Sequence, residues 1–272
     1  MTQTPRTSDV KDVANPAARI RAWWKFDTSA GDAIPDASGN GYTLIAVGAP
    51  AWAADAEIAG SIELDGATQS LGTLQPVLRT DESFSVAAWI RLDRAAMGGT
   101  VALKPGEHAL TAVSQDSPTH SAFYLGVREI ERAQPGEATT KSLHWNFTIA
   151  PVDGSETGVL EWQHAHAPAP LDDSALDRWV MLVGVCDIEK RTAHLYVPGS
   201  GESGSAHPPD AWNFWQADGG CQLGRGRWLG RNVDPWPGRV GPVRLYSGVL
   251  TAEDAQRLYS EDCRSKAADV ER

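Results

Sequence analysis

Trp236 to Leu258 reads WPGRVGPVRLYSGVLTAEDAQRL, which parses as a turn, a strand and a capped helix. Pro237 and Gly238 supply the turn, and Val240, Val243, Leu245 and Leu250 supply apolar positions. Thr251 followed by Asp254 is a capping-box-like helix start, with Asp in place of the usual Glu or Gln, for a short helix carrying Leu258 and Tyr259.

Working back from that strand, the chain offers many partners of the same kind. In Arg21 to Thr28, RAWWKFDT, Trp24 and Phe26 alternate with Trp23, Lys25 and Asp27 at the strand period of two. Asp36 to Gly41, DASGNG, is a turn built from residues that tolerate left-handed backbone or bond back to their own main chain. In GSIELDG, Gly60 to Gly66, Ile62 and Leu64 point inward and Glu63 outward. In SFSVAAWIRL, Ser83 to Leu92, Phe84, Val86, Ala88 and Ile90 share one face and Trp89 takes the other. Further strands are expected at Thr100 to Leu103, Ala122 to Val127, Leu143 to Ile149 and Val159 to Trp162. DRWVMLVGVCD, Asp177 to Asp187, and AHLYV, Ala193 to Val197, form a pair joined by a polar turn. Short alternating strands with almost no helical periodicity mean an all-β, antiparallel two-sheet sandwich ending in one short C-terminal helix.

These motifs together resemble a laminin-G-like jelly-roll domain of the concanavalin A-like lectin/glucanase superfamily. The WxFD-type strand followed by DxSGNG, the "ldG" turn, the "sFsvaaWirl" strand and the closing PGRVGPVRLY block each match the pattern. GRGRWLGRNVDPWPG, Gly224 to Gly238, looks like the version common in actinobacterial laminin-G-like repeats. The resemblance runs from about Arg21 to Tyr259. The expected organisation is a disordered arm over residues 1–18, one jelly-roll domain over 19–262 and a polar tail over 263–272.

The bulk composition limits what such a domain can do. The 272 residues are 42% hydrophobic and 22% charged, with a formal charge of −11, ordinary for a globular domain of this size. An acidic chain without a Lys/Arg cluster speaks against nucleic acid or an anionic membrane as partner. No signal-peptide core and no membrane-length apolar run stand in the sequence, so a cytoplasmic location is expected, or an extracellular one if the chain is trimmed or exported by another route. Cys186, Cys221 and Cys263 are odd in number and widely spaced, which fits reduced thiols, and Cys186 reads as a small buried hydrophobe.

No catalytic motif emerges. A glycosidase of this superfamily would carry ExDxE on one strand. The nearest approaches are Glu63 with Asp65, in a structural turn, and Asp187 with Glu189, in a hairpin; neither has the third carboxylate. There is no GxSxG elbow. His164 and His166, with Asp172 and Asp173, match no zinc spacing and read as a polar, proline-rich loop. His194 reads as an outward strand residue.

The resemblance also implies a calcium site formed by Asp27, Asp36, Asn40 and the carbonyl of Gly41 with a carboxylate before the last strand. Gly241 and Pro242 replace that usual acidic pair. The alternative for Asp36 and Asn40 is Asx-type closure of their own turn.

Eleven tryptophans against five tyrosines and five phenylalanines is an unusual ratio. Trp24, Trp89 and Trp179 lie in strands. Trp212, Trp215, Trp228 and Trp236 fall in Gly/Pro/Asp-rich segments that read as loops, with Arg231 and Asp234 beside them. Exposed indoles are complementary to the C–H faces of sugars, whereas indoles packed on the sandwich would only anchor loops. The leading expectation is a non-catalytic, lectin-like module for carbohydrate or a glycosylated partner, braced by calcium in the form the resemblance implies. The alternatives are a structural or receptor-binding component of a phage tail or injection assembly, and a repurposed jelly-roll enzyme, such as a cyclase, in small-molecule biosynthesis.

Overall fold

The computed structural model describes residues 18–27, 31–53, 57–58, 60–104, 106–132, 136, 138–154 and 161–270. The expected arm, apart from residue 18, lies outside the described residues. In chain order the strands are β1 (Arg19–Trp24), β2 (Ala33–Ile34), β3 (Leu44–Val47), β4 (Ala51–Ala53), β5 (Ser61–Asp65), β6 (Ser70–Gly72), β7 (Phe84–Leu92), β8 (Ala109–Asp116) and β9 (Ser121–Arg132). They continue as β10 (Thr140–Ile149), β11 (Gln163–His166), β12 (Val180–Asp187), β13 (Thr192–Val197), β14 (Glu202–Ala206), β15 (Cys221–Leu223), β16 (Gly226–Trp228), β17 (Arg231–Val233) and β18 (Pro237–Ser247), before helix α1 (Ala252–Val270). One sheet runs β14-β13-β12-β7-β18-β5-β4 with β1 also on β18, the other runs β11-β10-β9-β8-β15-β6-β3-β2, and β16-β17 forms a separate hairpin. All these strand pairs are antiparallel.

The period-two pattern decides which side chains meet between the sheets. Phe84, Val86, Ala88, Ile90 and Leu92 of β7 face Phe123, Leu125 and Val127 of β9 and Leu143, Trp145 and Phe147 of β10 in one apolar core. Phe84, Phe123 and Phe147 bridge the layers with ring centroids 5.2 to 6.2 Å apart. Cys186 is a buried free thiol in this core, as its apolar strand implies, and Cys221 and Cys263 are also free.

The other face of the first sheet is covered by α1. Ala87, Trp89, Met181, Val183 and Val185 form a second apolar cluster with Tyr246, Leu250 and Ala255. Thr251 and Asp254 close the capping box reciprocally, with Asp254 Oδ2 accepting from Thr251 N at 3.0 Å and Thr251 Oγ1 accepting from Asp254 N at 3.1 Å. Tyr259 stacks on Trp89 with centroids 5.4 Å apart. Asp262 accepts from Trp89 Nε1 at 2.7 Å and from both terminal nitrogens of Arg244 at 2.8 and 2.7 Å. The helix continues through most of the expected tail, to Val270. No helix among the described residues is long and apolar enough to cross a membrane.

Three local expectations are corrected. Thr100 to Leu103 is not a strand, because Gly98 and Gly99 turn the chain with φ of 74° and 99°. Instead, Asp173 Oδ1 holds Thr100 Oγ1 and Val101 N at 2.8 and 2.7 Å. Of Val159 to Trp162, residues 159 and 160 lie outside the described residues, and the strand begins only at Gln163. His164 and His166 are therefore not loop residues. They sit on β11, an edge strand paired with β10.

Candidate functional site

The strands β8 to β11 also have a second face, turned away from the core, and its composition is polar. Register places His166, Asn146, Gly126 and Thr111 on one rung across β11-β10-β9-β8, and His164, Thr148, Tyr124 and Ser114 on the next. Arg128 pairs with His144 and Ala109 on the rung beyond. Gly126 supplies no side chain at the centre of this pattern, and a Cβ there would sit 2.2 Å from the Leu110 carbonyl oxygen. A hollow is left between Tyr124 and Arg128.

The β16-β17 hairpin makes one wall of that hollow. Its two-residue turn, Leu229 and Gly230, has φ of 49° and 74°, the all-positive pattern of the hairpin turn whose twist matches its strands. The hairpin is tied down by side chains of the polar face. Tyr124 donates its hydroxyl to the Arg227 carbonyl, Ser114 Oγ donates to the Arg225 carbonyl at 2.9 Å, and Ser121 Oγ accepts from Arg227 N at 2.9 Å. Gly226 lies so close over the Tyr124 ring that a Cβ would meet it at 2.6 Å. Thr111 N donates to the Asp234 carbonyl at 2.8 Å, which fixes the chain leaving the hairpin.

The result is a pocket of about 450 Å³. Trp228 of the hairpin and Trp162 before β11 contribute indoles, and Tyr124, Arg128, Asn146 and Asp234 contribute polar atoms. Trp228 is 48% exposed. Trp162 is half-buried, propped against Tyr124 and His120 with centroids 5.5 Å away in each case. A second depression of about 530 Å³ adjoins it, sharing Gly106 and His108.

Burial governs the charges here. Asp234, held at φ 53°, has its carboxyl pushed up to about 6 by burial, against the pull of Arg128. Burial likewise pulls the Arg128 guanidinium down, with Asp234 opposing it. Neither side chain makes a hydrogen bond or a closer ion pair among the described residues. His164 is pulled down to about 3, by burial first and by Arg128 second, so it is a neutral imidazole with Nδ1 2.9 Å from Thr148 Oγ1. Asn146 and Thr148 are hydrogen-bonded at 2.5 Å. Thr111 Oγ1 is buried without a partner among the described residues.

Of the residues singled out in the sequence, Trp228 and Asp234 line this pocket. Arg231 is exposed on the same hairpin, directly across from Trp228. The expectation of exposed indoles is corrected for Trp212 and Trp236, which are 2% and 0% exposed in the sandwich core. Trp236 donates Nε1 toward the carbonyls of Arg91 at 3.2 Å and Arg239 at 3.3 Å, so its Gly/Pro-rich setting is the start of β18 packed inward. Trp215 is half-buried, with its Nε1 bonded to the Ala150 carbonyl at 3.0 Å; it anchors its segment away from the pocket. Arg128, Tyr124, Asn146 and Trp162 were missed. The available signal was YLGVR and NFT, in which polar or small residues alternate with core residues on strands that could have been taken as plain sandwich.

The residues expected to hold calcium do not fit the ion. Asp36 Oδ1 accepts from Trp23 N and Ser38 N at 2.9 and 2.8 Å, and Oδ2 from Ser38 Oγ and Tyr42 N at 2.8 and 3.1 Å. Burial acts to raise this carboxyl, but those bonds together hold it below the usual carboxylate range. Asn40 Nδ2 donates to the Arg21 carbonyl at 3.0 Å, and the Gly41 carbonyl accepts from Thr43 N at 3.1 Å. Asp27 is exposed. Where the acidic pair would stand, a Cβ on Gly241 would meet Ile58 at 2.4 Å in apolar surroundings. Calcium wants six to eight oxygens. Among the described residues, no group of three or more His, Cys, Asp or Glu could hold a metal.

Two antiparallel sheets packed face to face, with a lined hollow on the outer face of one, define a jelly-roll sandwich. The chain belongs to the concanavalin A-like lectin/glucanases superfamily, whose laminin-G model matches residues 65–256. No curated protein matches it. Among solved structures it is similar to domain 4 of AbnA, an extracellular arabinanase of family GH43 from Geobacillus stearothermophilus, solved in complex with arabinotriose. That match has a TM-score of 0.59 and 18% identity, covering 89% of this chain and 98% of that one. The binding domain of botulinum neurotoxin serotype D/C matches with a TM-score of 0.57 and 10% identity, covering 89% of this chain. The serotype C1 binding domain matches with 0.56 and 12%, also covering 89%. The chain spans 52% of each toxin domain. At these identities the likeness is one of fold.

Proposed function

We propose that the chain is a carbohydrate-binding module whose site is the pocket between the β16-β17 hairpin and the polar face of β8 to β11. The observation that carries this reading is the pairing of two indoles, Trp228 and Trp162, with two partly buried charged groups, Arg128 and Asp234, which act on each other through space while neither side chain hydrogen-bonds to any described residue. Flat apolar faces take sugar C–H groups, and a few convergent polar groups fix the hydroxyls. The volume of about 450 Å³ suits one or two sugar rings. The arabinanase domain, solved with arabinotriose, and a type C botulinum neurotoxin, whose cell entry is described as dependent upon interaction with two ganglioside molecules, have this fold and support the reading.

On this reading the pocket binds a sugar and does not cleave it by the two-carboxylate route. Asp234 is the one carboxylate among the described lining residues, and glycoside hydrolysis by the usual route needs two. The test is a glycan array followed by titration of the best sugar. Loss of binding in W228A and in W162A, with melting unchanged, supports the site. Binding untouched by either substitution refutes it.

A further inference from the structure

The charge inside the pocket narrows the ligand class, on the footing of the proposed function. Arg128 projects from the polar face of β9 into the pocket, partly buried, and its guanidinium bonds to no described side chain. A planar guanidinium with free donors is built to take a carboxylate in two parallel hydrogen bonds. Asp234 acts on this guanidinium through space without a hydrogen bond to it, so its donors stay open to a ligand carboxylate in a site where burial strengthens such a contact.

We infer that the pocket selects a saccharide bearing a single carboxylate, a uronic acid residue, seated on Arg128 with its ring against Trp228 or Trp162. A single charge is favoured over a dense one for two reasons. Asp234 stands in the same pocket, so an anion with a second charge meets a carboxylate. The chain as a whole carries −11, which repels polyanions at long range.

The same arrangement makes binding depend on pH. The charged groups acting on Asp234 are Arg128 from β9 and Glu107 and His108 from the segment before β8; Tyr124 acts on Arg128, and Arg128 in turn acts on His164. Below about pH 6 the Asp234 carboxyl is protonated, repulsion toward a ligand carboxylate is gone and a donor is gained. Above it the carboxylate competes for Arg128. Affinity for the acidic sugar therefore rises as pH falls through that value, until the sugar's own carboxylate is protonated.

The experiment is calorimetric titration, at pH 5 and pH 7.5, of the intact chain with otherwise neutral oligosaccharides carrying one uronic acid residue. The same oligosaccharides methyl-esterified at the carboxyl, and analogues sulfated in its place, serve as the other probes. The expected result is at least tenfold tighter binding of the acid than of its ester at pH 5, with the ratio shrinking at pH 7.5. R128Q abolishes the ratio, and D234N brings acid affinity at pH 7.5 up to its pH 5 value; melting curves confirm that both variants are folded. Equal affinity for acid and ester overturns the inference and leaves the carbohydrate-binding reading standing. Tighter binding of the sulfated analogue overturns the carboxylate assignment. Failure of all three probes, together with an empty array of neutral glycans, overturns both readings.

Discussion

Trp236 and Trp228 lie eight positions apart in one Gly/Pro-rich segment, yet opposite responses to truncation are expected. Trp236 is fully buried, and its Nε1 lies between the carbonyls of Arg91 on β7 and Arg239 on β18. Trp236→Ala empties one of the three fully buried indoles among the described residues from the core, a loss of about 3–5 kcal/mol. It also leaves those two carbonyls short of a donor, which adds about 1 kcal/mol. In a domain of this size about 1 kcal/mol moves the melting temperature by ~2–4 °C, so a fall of roughly 10 °C or more is expected. Trp228 is 48% exposed and its truncation should cost no more than about 0.5 kcal/mol of stability, while weakening the sugar by about tenfold or more, ~1.4 kcal/mol. The assay is thermal melting of both variants beside calorimetric titration of the best array hit. A Trp236→Ala protein melting within about 2 °C of the parent but failing to bind would refute the division of labour, and so would a Trp228→Ala protein that unfolds.

Chelation should leave the fold untouched: a melting temperature unchanged by EDTA and by added calcium is expected, because both Asp36 oxygens already accept hydrogen bonds, from Trp23 on β1 and from Ser38 and Tyr42. Asp262→Ala removes the acceptor shared by Trp89 and Arg244 and leaves that guanidinium, 10% exposed, facing an apolar layer. Hydrogen exchange along α1 should then accelerate well before exchange in β7. Asp65 is held down to about 2; burial opposes the shift, and bonds from Gln69, Thr68 and Ala67 outweigh it. A carboxylate depressed on folding stabilises above its unfolded value near 3.8 and loses that contribution as pH falls toward 2. Asp65→Asn should accordingly flatten the acid limb of the stability curve between those values, read by denaturant melts.

The fold was legible because its signals are local and repeated. Phe84, Val86, Ala88 and Ile90 read as one face from spacing alone, and they are the face between the sheets. Thr251 and Asp254 read as a capping box and form one. What spacing could not supply was the length of what followed: helix α1 covers the face of the first sheet that carries Trp89, Met181 and Val183 with Ala255, Leu258, Tyr259 and Cys263, and it runs on to Val270. The strand expected at Thr100 to Leu103 failed for a related reason. Its apolar residues satisfy a pattern, but the Gly98-Gly99 turn and the Asp173 carboxylate define a loop instead.

The site was less legible, since it depends on register more than on any motif. Arg128, Gly126 and Tyr124 are unremarkable in sequence; they acquire meaning when β8, β9 and β10 align Thr111, Gly126 and Asn146 on one rung and when a hairpin from a hundred residues later settles on Tyr124. The tryptophan count pointed to indoles, and Trp228 does line the pocket, but it could not sort them by direction, because Trp228 and Trp236 share the same turn-rich surroundings. The difference lies in their pairing. Trp228 stands in a two-stranded ribbon outside the main sheets, with one face free, whereas Trp236 leads directly into β18 between β7 and β5. An indole entering the middle of a sheet is drawn inward; one on a ribbon above it stays available to a ligand.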